Sequence, residues 1–227
     1  MKTLLIVGAG GLGSEVVEMV RESMPDCYLD IGFVDDAVPA NQLVHGVRVI
    51  GDRSILRDVT PGSVDLCIAI GDPVARRDLT DLAEGYGHSV IRVIDVTSLV
   101  RPSATVGKGA IIGPRTIVSS NASIAAHSAI NNGAVIGHAV SIGRYAVIGG
   151  GAVISGGASV GDGALIGAGA SILPGKTVGS WATVAMGAAV FTEVPAGTTV
   201  LGNPARVVMP PRRDRRDPRA PDSLVEH

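Results

Sequence analysis

An aliphatic residue recurs at every sixth position between residues 100 and 190. All sixteen of these positions, from Val100 to Val190, hold isoleucine or valine, without an insertion. A small residue usually follows the aliphatic residue directly, and alanine usually stands four positions after it. A period of six matches neither an amphipathic helix nor an alternating strand. The pattern predicts a solenoid whose coils are three short flat strands joined by tight corners, with the β-branched residues stacked inside.

The composition agrees with such a solenoid. Glycine accounts for 31 of the 227 residues and aromatic residues for only 3%, as expected for tight corners around a narrow aliphatic core. Between residues 100 and 190 the sequence has a single acid, Asp162. Flat faces so poor in charge are expected to be buried, most simply against other copies of the chain.

Charge and hydropathy exclude several classes of partner. A net charge of −2 and a pI near 6.2 provide no general attraction to nucleic acid or acidic membranes. No apolar run approaches the roughly 18 residues of a spanning helix, and no signal peptide is recognisable. We therefore predict a cytoplasmic protein without membrane insertion. Cys27 and Cys67 are far apart and lack metal-ligand spacing, so we predict two buried free thiols and no metal site.

Residues 1–97 follow a different pattern. Apolar runs at residues 2–7, 28–34, 64–70 and 89–94 read as strands, and residues 14–24 and 74–86 read as helices. Alternating strands and helices predict a small, mostly parallel, Rossmann-like α/β domain. We place this domain at residues 1–97, the solenoid and its closing segment at 98–209, and a disordered tail rich in proline, arginine and aspartate at 210–227.

The loop after the first strand satisfies the pattern G-x-G-x-x-G over residues 8–13, and Asp35 and Asp36 follow the second strand. Three interpretations stay open: a dinucleotide site with an aspartate on a ribose, a site for another phosphate-bearing ligand at the helix start, or a tight turn without ligand. A domain of about 95 residues is only half of the usual dinucleotide fold. NAD is therefore disfavoured.

Taken together, several segments identify a family. They are Gly8–Gly13 with Glu15, Gly32-Phe33-Val34-Asp35-Asp36, Ala69-Ile70-Gly71-Asp72 with Arg76, Pro102-Ser103-Ala104, Asn131-Asn132-Gly133-Ala134-Val135-Ile136-Gly137-His138, Val194-Pro195-Ala196-Gly197 and Gly202-Asn203-Pro204-Ala205. Over residues 1–209 the chain resembles the bacterial sugar acyltransferases related to the sialic-acid O-acetyltransferases and the nucleotide-aminosugar N-acetyltransferases. The resemblance implies a left-handed parallel β-helix and a homotrimer.

The resemblance also implies the site residues. His138 matches the family's catalytic base, and imidazole suits proton transfer near neutral pH. A nucleotide-linked sugar is expected on the glycine loop and the double aspartate, and acetyl-CoA in a groove between neighbouring subunits. The substrate contacts would be Gly10, Gly11, Leu12, Asp35, Asp36 and Gly71, and the acetyl-CoA contacts Gly156, Ala168, Met186, Asn203 and Pro204.

Two positions depart from the family pattern. The acid that usually follows the catalytic histidine is replaced by Ala139, and the family's second histidine is replaced by Val147. His127 is a rival candidate for the base. The other interpretation of His127 is an exposed, solvated side chain without a catalytic role. Trp181 is expected to pack at a corner of the solenoid.

We therefore predict an acetyl-CoA-dependent transferase that N-acetylates a nucleotide-linked amino sugar in glycan or polysaccharide biosynthesis, by direct attack. The alternative is an O-acyltransferase acting on a free sugar or small natural product. The two departures from the family pattern, Ala139 and Val147, support it. A trimeric binding or scaffold protein with weakened catalysis is the second alternative.

Overall fold

The computed structural model describes residues 2–210, which form a small α/β unit followed by a left-handed parallel β-helix. In the α/β unit the strands are β1 Lys2–Val7, β2 Tyr28–Val34, β3 Leu43–Val44, β4 Val47–Gly51 and β5 Val64–Ile68, and the helices are α1 Gly11–Ser23, α2 Ile55–Asp58 and α3 Pro73–Gly85. The sheet has the order β3-β4-β2-β1-β5 and is parallel except for the β3–β4 hairpin. The fold class predicted from the sequence is confirmed.

The β-helix consists of two-residue strands, one in each hexad. Each strand up to Ser171–Ile172 pairs in parallel with the strand eighteen residues further along, as Ile117 does with Val135 and Ile124 with Ile142. The repeated isoleucines, valines and alanines, such as Ile130, Ile148 and Ile166, are fully buried and form one continuous core. The β-branched side chains therefore stack on their own copies, as the period of six predicted.

The strands form three faces. We name one the docked face, because the α/β unit lies on it, and the other two the apolar and hydroxyl faces, after their outward side chains. The docked face contains β6 Val93–Ile94, β9 Ile111–Ile112, β12 Ala129–Ile130, β15 Val147–Ile148, β18 Leu165–Ile166, β21 Thr183–Val184, β23 Thr199–Leu201 and β24 Arg206–Met209. The apolar face contains β7 Leu99–Val100, β10 Ile117–Val118, β13 Val135–Ile136, β16 Val153–Ile154, β19 Ser171–Ile172 and β22 Ala189–Val190. The hydroxyl face contains β8 Thr105–Val106, β11 Ser123–Ile124, β14 Ser141–Ile142, β17 Ser159–Val160 and β20 Thr177–Val178.

The α/β unit lies on the docked face of its own β-helix. Val16 and Val20 of α1 belong to one buried cluster with Ile111, Ala129 and Val147, the outward residues of three successive strands. Burying these aliphatic side chains removes apolar surface from water, which stabilises the contact by roughly 25 cal/mol per Å². The position of the α/β unit is thus set by an apolar stripe on the β-helix.

The structure differs from the sequence-based elements in three places. The hairpin of Leu43–Val44 and Val47–Gly51 had no counterpart in the sequence analysis. The predicted strand 89–94 is divided, because Val90 bridges to Leu66 whereas Val93–Ile94 pair with Ile111–Ile112 of the β-helix. The division into units at residue 97 stays a prediction, and residues 211–227 of the predicted tail lie outside the described residues.

Candidate active site

Three loops meet at one edge of the α/β sheet. They follow β1, β2 and β5, which are adjacent strands, so the carboxyl ends of these strands lie side by side. A Cβ atom on Gly10, Gly11 or Gly71 would meet no atom within 4 Å. The backbone of these predicted contacts therefore borders open space. We call this group of loops the cradle.

The start of α1 has free hydrogen-bonding capacity. Its N-cap residue, Gly10, has no side chain to cap the helix, and the first turn carries no acid. In contrast, α3 is capped by Asp72, whose carboxylate accepts from the backbone N–H of Ala75 at 2.8 Å. Unpaired N–H groups and the helix dipole favour an anion at the α1 terminus, which suits the phosphate of a nucleotide.

Asp35 has its carboxylate turned toward the protein backbone. Its Oδ2 accepts from the N–H of Ala9 at 2.7 Å, and its Oδ1 accepts from the N–H groups of Ala37 and Val38 at 2.9 and 3.2 Å. Asp35 therefore links the first two loops of the cradle to each other. Its contact with a ligand stays a prediction.

Asp36 is held by Arg53. Its Oδ1 accepts from the Arg53 backbone N–H at 2.9 Å and its Oδ2 from the Arg53 Nε at 2.6 Å. These hydrogen bonds, with the Arg53 charge, hold the pKa of Asp36 below its usual value. A cleft of about 470 Å³ opens beside the pair and is also lined by Asp52 and Ile55. The double aspartate thus borders this cleft, whose lining includes no residue of the other two cradle loops.

His138 lies at the corner between the apolar and hydroxyl faces. The side chain is exposed, and the following residue, Ala139, has a left-handed backbone with φ 54°. Asp162 lies at a different corner, where its carboxylate accepts from the backbone N–H of Arg144 at 2.8 Å. Within residues 2–210 no carboxylate is bonded to the His138 imidazole. The ring instead lies over Gly156 of the next coil.

The predicted acetyl-CoA contacts divide between two corners. Gly156 shares the corner of His138, whereas Ala168 and Met186 lie at the corner between the docked and apolar faces, in line with Asn132. Both side chains are exposed, Met186 to 76%. The segment containing Asn203 and Pro204 folds back on the last coil, where Ala189 donates to the Gly202 carbonyl at 3.0 Å and accepts from the Ala205 N–H at 2.8 Å. The two corners flank the apolar face.

Leu12 and Val147 belong to the packing between α1 and the β-helix. Leu12 is half-buried against the cluster that includes Val147, and Val147 itself is 3% exposed. The position that holds the family's second histidine is thus covered by the chain's own α/β unit. Leu12 stays a predicted substrate contact through its backbone.

The expectation that His127 is exposed and solvated is wrong. Its side chain is 1% exposed, is stacked on Tyr145, and places Nε2 3.2 Å from Oε1 of Glu84. It lies beneath α3, because the corner between the docked and hydroxyl faces is the one on which α3 rests. Trp181 belongs to the same corner, as expected, with the Arg77 guanidinium 4.9 Å from its ring centroid.

Residues 3–82 match the family model of the PglD N-terminal domain. The acetyltransferase domain of PglB from Neisseria gonorrhoeae, solved with acetyl coenzyme A, is 31% identical over 91% of this chain and 99% of its own, with a TM-score of 0.86. This observation decides the family. The chain belongs to the sugar acetyltransferases with a PglD-type N-terminal domain.

Two further solved structures match over nearly the whole chain. PerB from Caulobacter crescentus, in complex with CoA and GDP-perosamine, is 29% identical over 91% of this chain and 97% of its own, with a TM-score of 0.84. WeeI from Acinetobacter baumannii is 30% identical over 92% of this chain and 100% of its own, with a TM-score of 0.85. No curated protein sequence matches significantly.

Membrane-spanning helices and metal clusters are absent from the described part of this sugar acetyltransferase. None of the helices within residues 2–210 has the length and apolar character that crossing a bilayer requires. In the same range no group of three or more His, Cys, Asp and Glu side chains is placed to hold a metal ion.

Proposed function

We propose that this enzyme transfers the acetyl group of acetyl-CoA to the amino group of a nucleotide-linked sugar in glycan or polysaccharide biosynthesis. The observation that carries the proposal is the match over 91% of the chain to relatives solved with acetyl-CoA and with CoA and GDP-perosamine. The open cradle with its uncapped helix start supports a nucleotide. The exposed His138 supports a base at the reacting end, and a cytoplasmic location stays a prediction.

The proposed reaction is a direct attack. The amine nitrogen of the sugar forms a bond to the thioester carbonyl carbon, and the His138 imidazole accepts the proton that the nitrogen loses. Backbone N–H groups stabilise the oxyanion, and the C–S bond then breaks to release the CoA thiolate, which takes up a proton. A free amine is already nucleophilic, whereas a hydroxyl needs deprotonation during attack. Although the replacement by Ala139 supported the hydroxyl alternative on sequence grounds, an imidazole with no carboxylate bonded to it within residues 2–210 is better suited to an amine acceptor.

We infer that the active form is a homotrimer. The outward residues Leu99, Ile117 and Val153 of the apolar face are 45%, 38% and 37% exposed in the single chain, and no charge lies among them. Asn132, whose Nδ2 donates to the Glu15 carboxylate of α1 at 3.1 Å, lies at the corner between the docked and apolar faces. This corner and that of His138 are separated by the apolar face, which is six residues of extended chain wide, or up to about 20 Å. Packing between copies would cover the face and bring the two corners of neighbouring chains together.

The trimer is tested by placing a charge on the apolar face. We expect Ile117→Asp to lower the molar mass measured by light scattering from that of three chains to that of one, and to abolish turnover. Leu29→Asp is the control, since Leu29 is 72% exposed on the α/β unit. A wild-type mass of one chain, or an unchanged mass for Ile117→Asp, would contradict the inference.

The reaction is tested by thiol release from acetyl-CoA with a panel of UDP-, GDP- and dTDP-linked 4-amino sugars. We expect turnover with one of them and a loss of about 10²–10⁴-fold in His138→Ala, the usual contribution of a general base. His45→Ala, in the β3–β4 turn, is the matched control. Unchanged turnover in His138→Ala rejects the proposed base. If no member of the panel gives thiol release while calorimetry shows that CoA still binds, the result favours the hydroxyl acceptor.

A further inference from the structure

Gly156 occupies a position of the coil that does not require glycine. It is the second residue after the buried Ile154, and the same position in other hexads holds Ser120, Asn132, Ala168 or Met186. Its φ is not positive, in contrast to that of Gly157, the next residue of the same corner, with φ of 69°. The backbone at position 156 is therefore compatible with any L-residue. The reason for a glycine lies in what surrounds it.

The imidazole of His138 fills the space that a side chain at position 156 would need. A Cβ atom built there would lie 2.6 Å from Cε1 and 2.9 Å from Cδ2 of His138, and closer still to Nε2. The three nearest atoms all belong to this one ring. At Gly150, the equivalent position one hexad earlier, the nearest atom is the Asn132 carbonyl oxygen at 3.3 Å. At position 156 the missing Cβ thus makes room for the ring of His138, as Gly109 makes room for the ring of His127 and Gly163 for that of Trp181.

This contact matters because the ring has no other anchor in the described chain. The following residue is Ala139, and Asp162 is engaged at a different corner. Side chains occupy discrete staggered rotamers. A ring displaced from Gly156 must therefore adopt another rotamer, which shifts its nitrogen atoms by ångströms. A general base has to lie within hydrogen-bond reach of the proton it accepts, and misplacement by about 1 Å costs as much as 10²-fold in rate.

We propose that Gly156 is a positioning residue for His138. Because Gly156 has no Cβ, the imidazole lies against it, and this contact holds the ring in its working orientation in place of a carboxylate. The inference rests on the proposed function, since it assumes that His138 is the base. It assigns Gly156 a role that is separate from the predicted contact with acetyl-CoA.

The test is a double-mutant cycle between positions 156 and 138. We expect Gly156→Ala to lower kcat by about 10²-fold, while Gly85→Ala, the control at the exposed end of α3 where a Cβ would meet no atom within 4 Å, keeps the wild-type rate. In the His138→Ala background the ring is gone, so Gly156→Ala should change the residual rate less than about twofold. The Kd of CoA, measured by calorimetry, should be the same with and without Gly156→Ala in that background.

The outcomes separate the inference from the proposed function. If His138→Ala keeps full activity, the base assignment fails and the inference falls with it. If His138→Ala is inactive but Gly156→Ala keeps the wild-type kcat, the inference alone is wrong. An equal rise in the Kd of CoA in both backgrounds would mean that position 156 acts through CoA, which also overturns it. Should Gly156→Ala fail to fold, recovery of folding in the double variant supports the contact, and no recovery contradicts it.

Discussion

Arg76 donates from Nε to the backbone carbonyl oxygen of His127 at 2.6 Å, which joins α3 to a corner of the β-helix. Its Nη1 donates to the Ile70 carbonyl at 3.0 Å and its Nη2 to the Ser128 carbonyl at 3.4 Å. The guanidinium is fully buried, and burial lowers its pKa to about 10. One side chain thus connects the cradle loop before Gly71 to the β-helix through backbone acceptors.

Removing this guanidinium should destabilise the protein. In Arg76→Met the carbonyls of His127 and Ile70 lose their donor, whereas Ser128 still accepts from the Ile111 N–H at 2.9 Å. Buried polar groups left unpaired cost about 1–3 kcal/mol each, so we expect the free energy of unfolding to fall by about 3 kcal/mol in urea titrations. Arg57→Met, at an exposed arginine paired with Asp58, should change it by less than about 0.5 kcal/mol. Coincident curves for Arg76→Met and wild type would contradict this role.

The buried His127 should make stability depend on pH. Burial lowers its pKa, as do the nearby Lys108, Arg144 and Arg76, while Glu84 opposes the shift. The unfolded chain therefore binds more protons than the folded one below the usual histidine value of about 6.5. Stability should be fully present above this pH and decrease as the pH falls from about 6.5 towards the lower pKa of the folded protein.

Unfolding in urea at pH 7.5 and 5.5 tests the contribution of His127. His127→Phe should reduce the loss of stability between the two pH values, because phenylalanine keeps the stacking on Tyr145 without a proton to bind. Aromatic residues fit this corner, as Tyr145 and Trp181 show at the equivalent positions. His45→Asn, an exposed control, should retain the wild-type loss. An equal loss in His127→Phe would assign the pH dependence to other groups.

Supplying an acid directly after His138, the proposed base, should strengthen that base. Ala139 has φ 54°, a conformation that aspartate tolerates better than alanine, so Ala139→Asp should fold normally. A carboxylate beside His138 favours the charged imidazolium and raises the pKa of that histidine. We expect the acid limb of the pH–rate profile to move to higher pH and the plateau to rise by up to about tenfold per unit of pKa. Ala139→Asn is the neutral control, and identical profiles for the two variants would contradict the expectation.

The two cysteines should differ in reactivity. Cys67 is fully buried in β5, and burial raises its pKa to about 12, whereas Cys27 is exposed. The expectation that both thiols are buried is therefore wrong for Cys27. The native enzyme should release one equivalent of thionitrobenzoate from Ellman's reagent, and Cys27→Ser should release none until the protein is denatured. Two equivalents from the native enzyme would contradict the burial of Cys67.

The sequence analysis succeeded where contacts repeat at short range. Each hexad of the β-helix packs on its copy eighteen residues away, as Ile136 does on Ile154. The need for a buried aliphatic residue therefore recurs at regular intervals along the sequence. Similarly, β1 and the glycine loop are adjacent in the chain, and their pattern predicted a helix directly after them, although α1 begins at Gly11 and not at residue 14. The corner position of His138 follows from counting hexads.

The remaining features depend on contacts between the two units, which have no period. The pairing of Arg76 with His127 spans 51 residues, and the Glu15 carboxylate accepts from Asn132 Nδ2 across 117 residues at 3.1 Å. Nothing near His127 in the sequence indicates that α3 covers it. Likewise, the inward hydrogen bonds of Asp35 form only once the first two loops of the cradle lie side by side.

The sequence by itself thus determined the coil, its core, the corner that holds His138 and the family. Only the tertiary structure decided which face the α/β unit covers, which histidine is buried, and that the His138 ring rests on Gly156. The physical reason is that stacking energies within the coil are local and repeated, whereas the docking of one unit on the other is a single set of long-range contacts, specified by shape and by backbone acceptors that any residue provides.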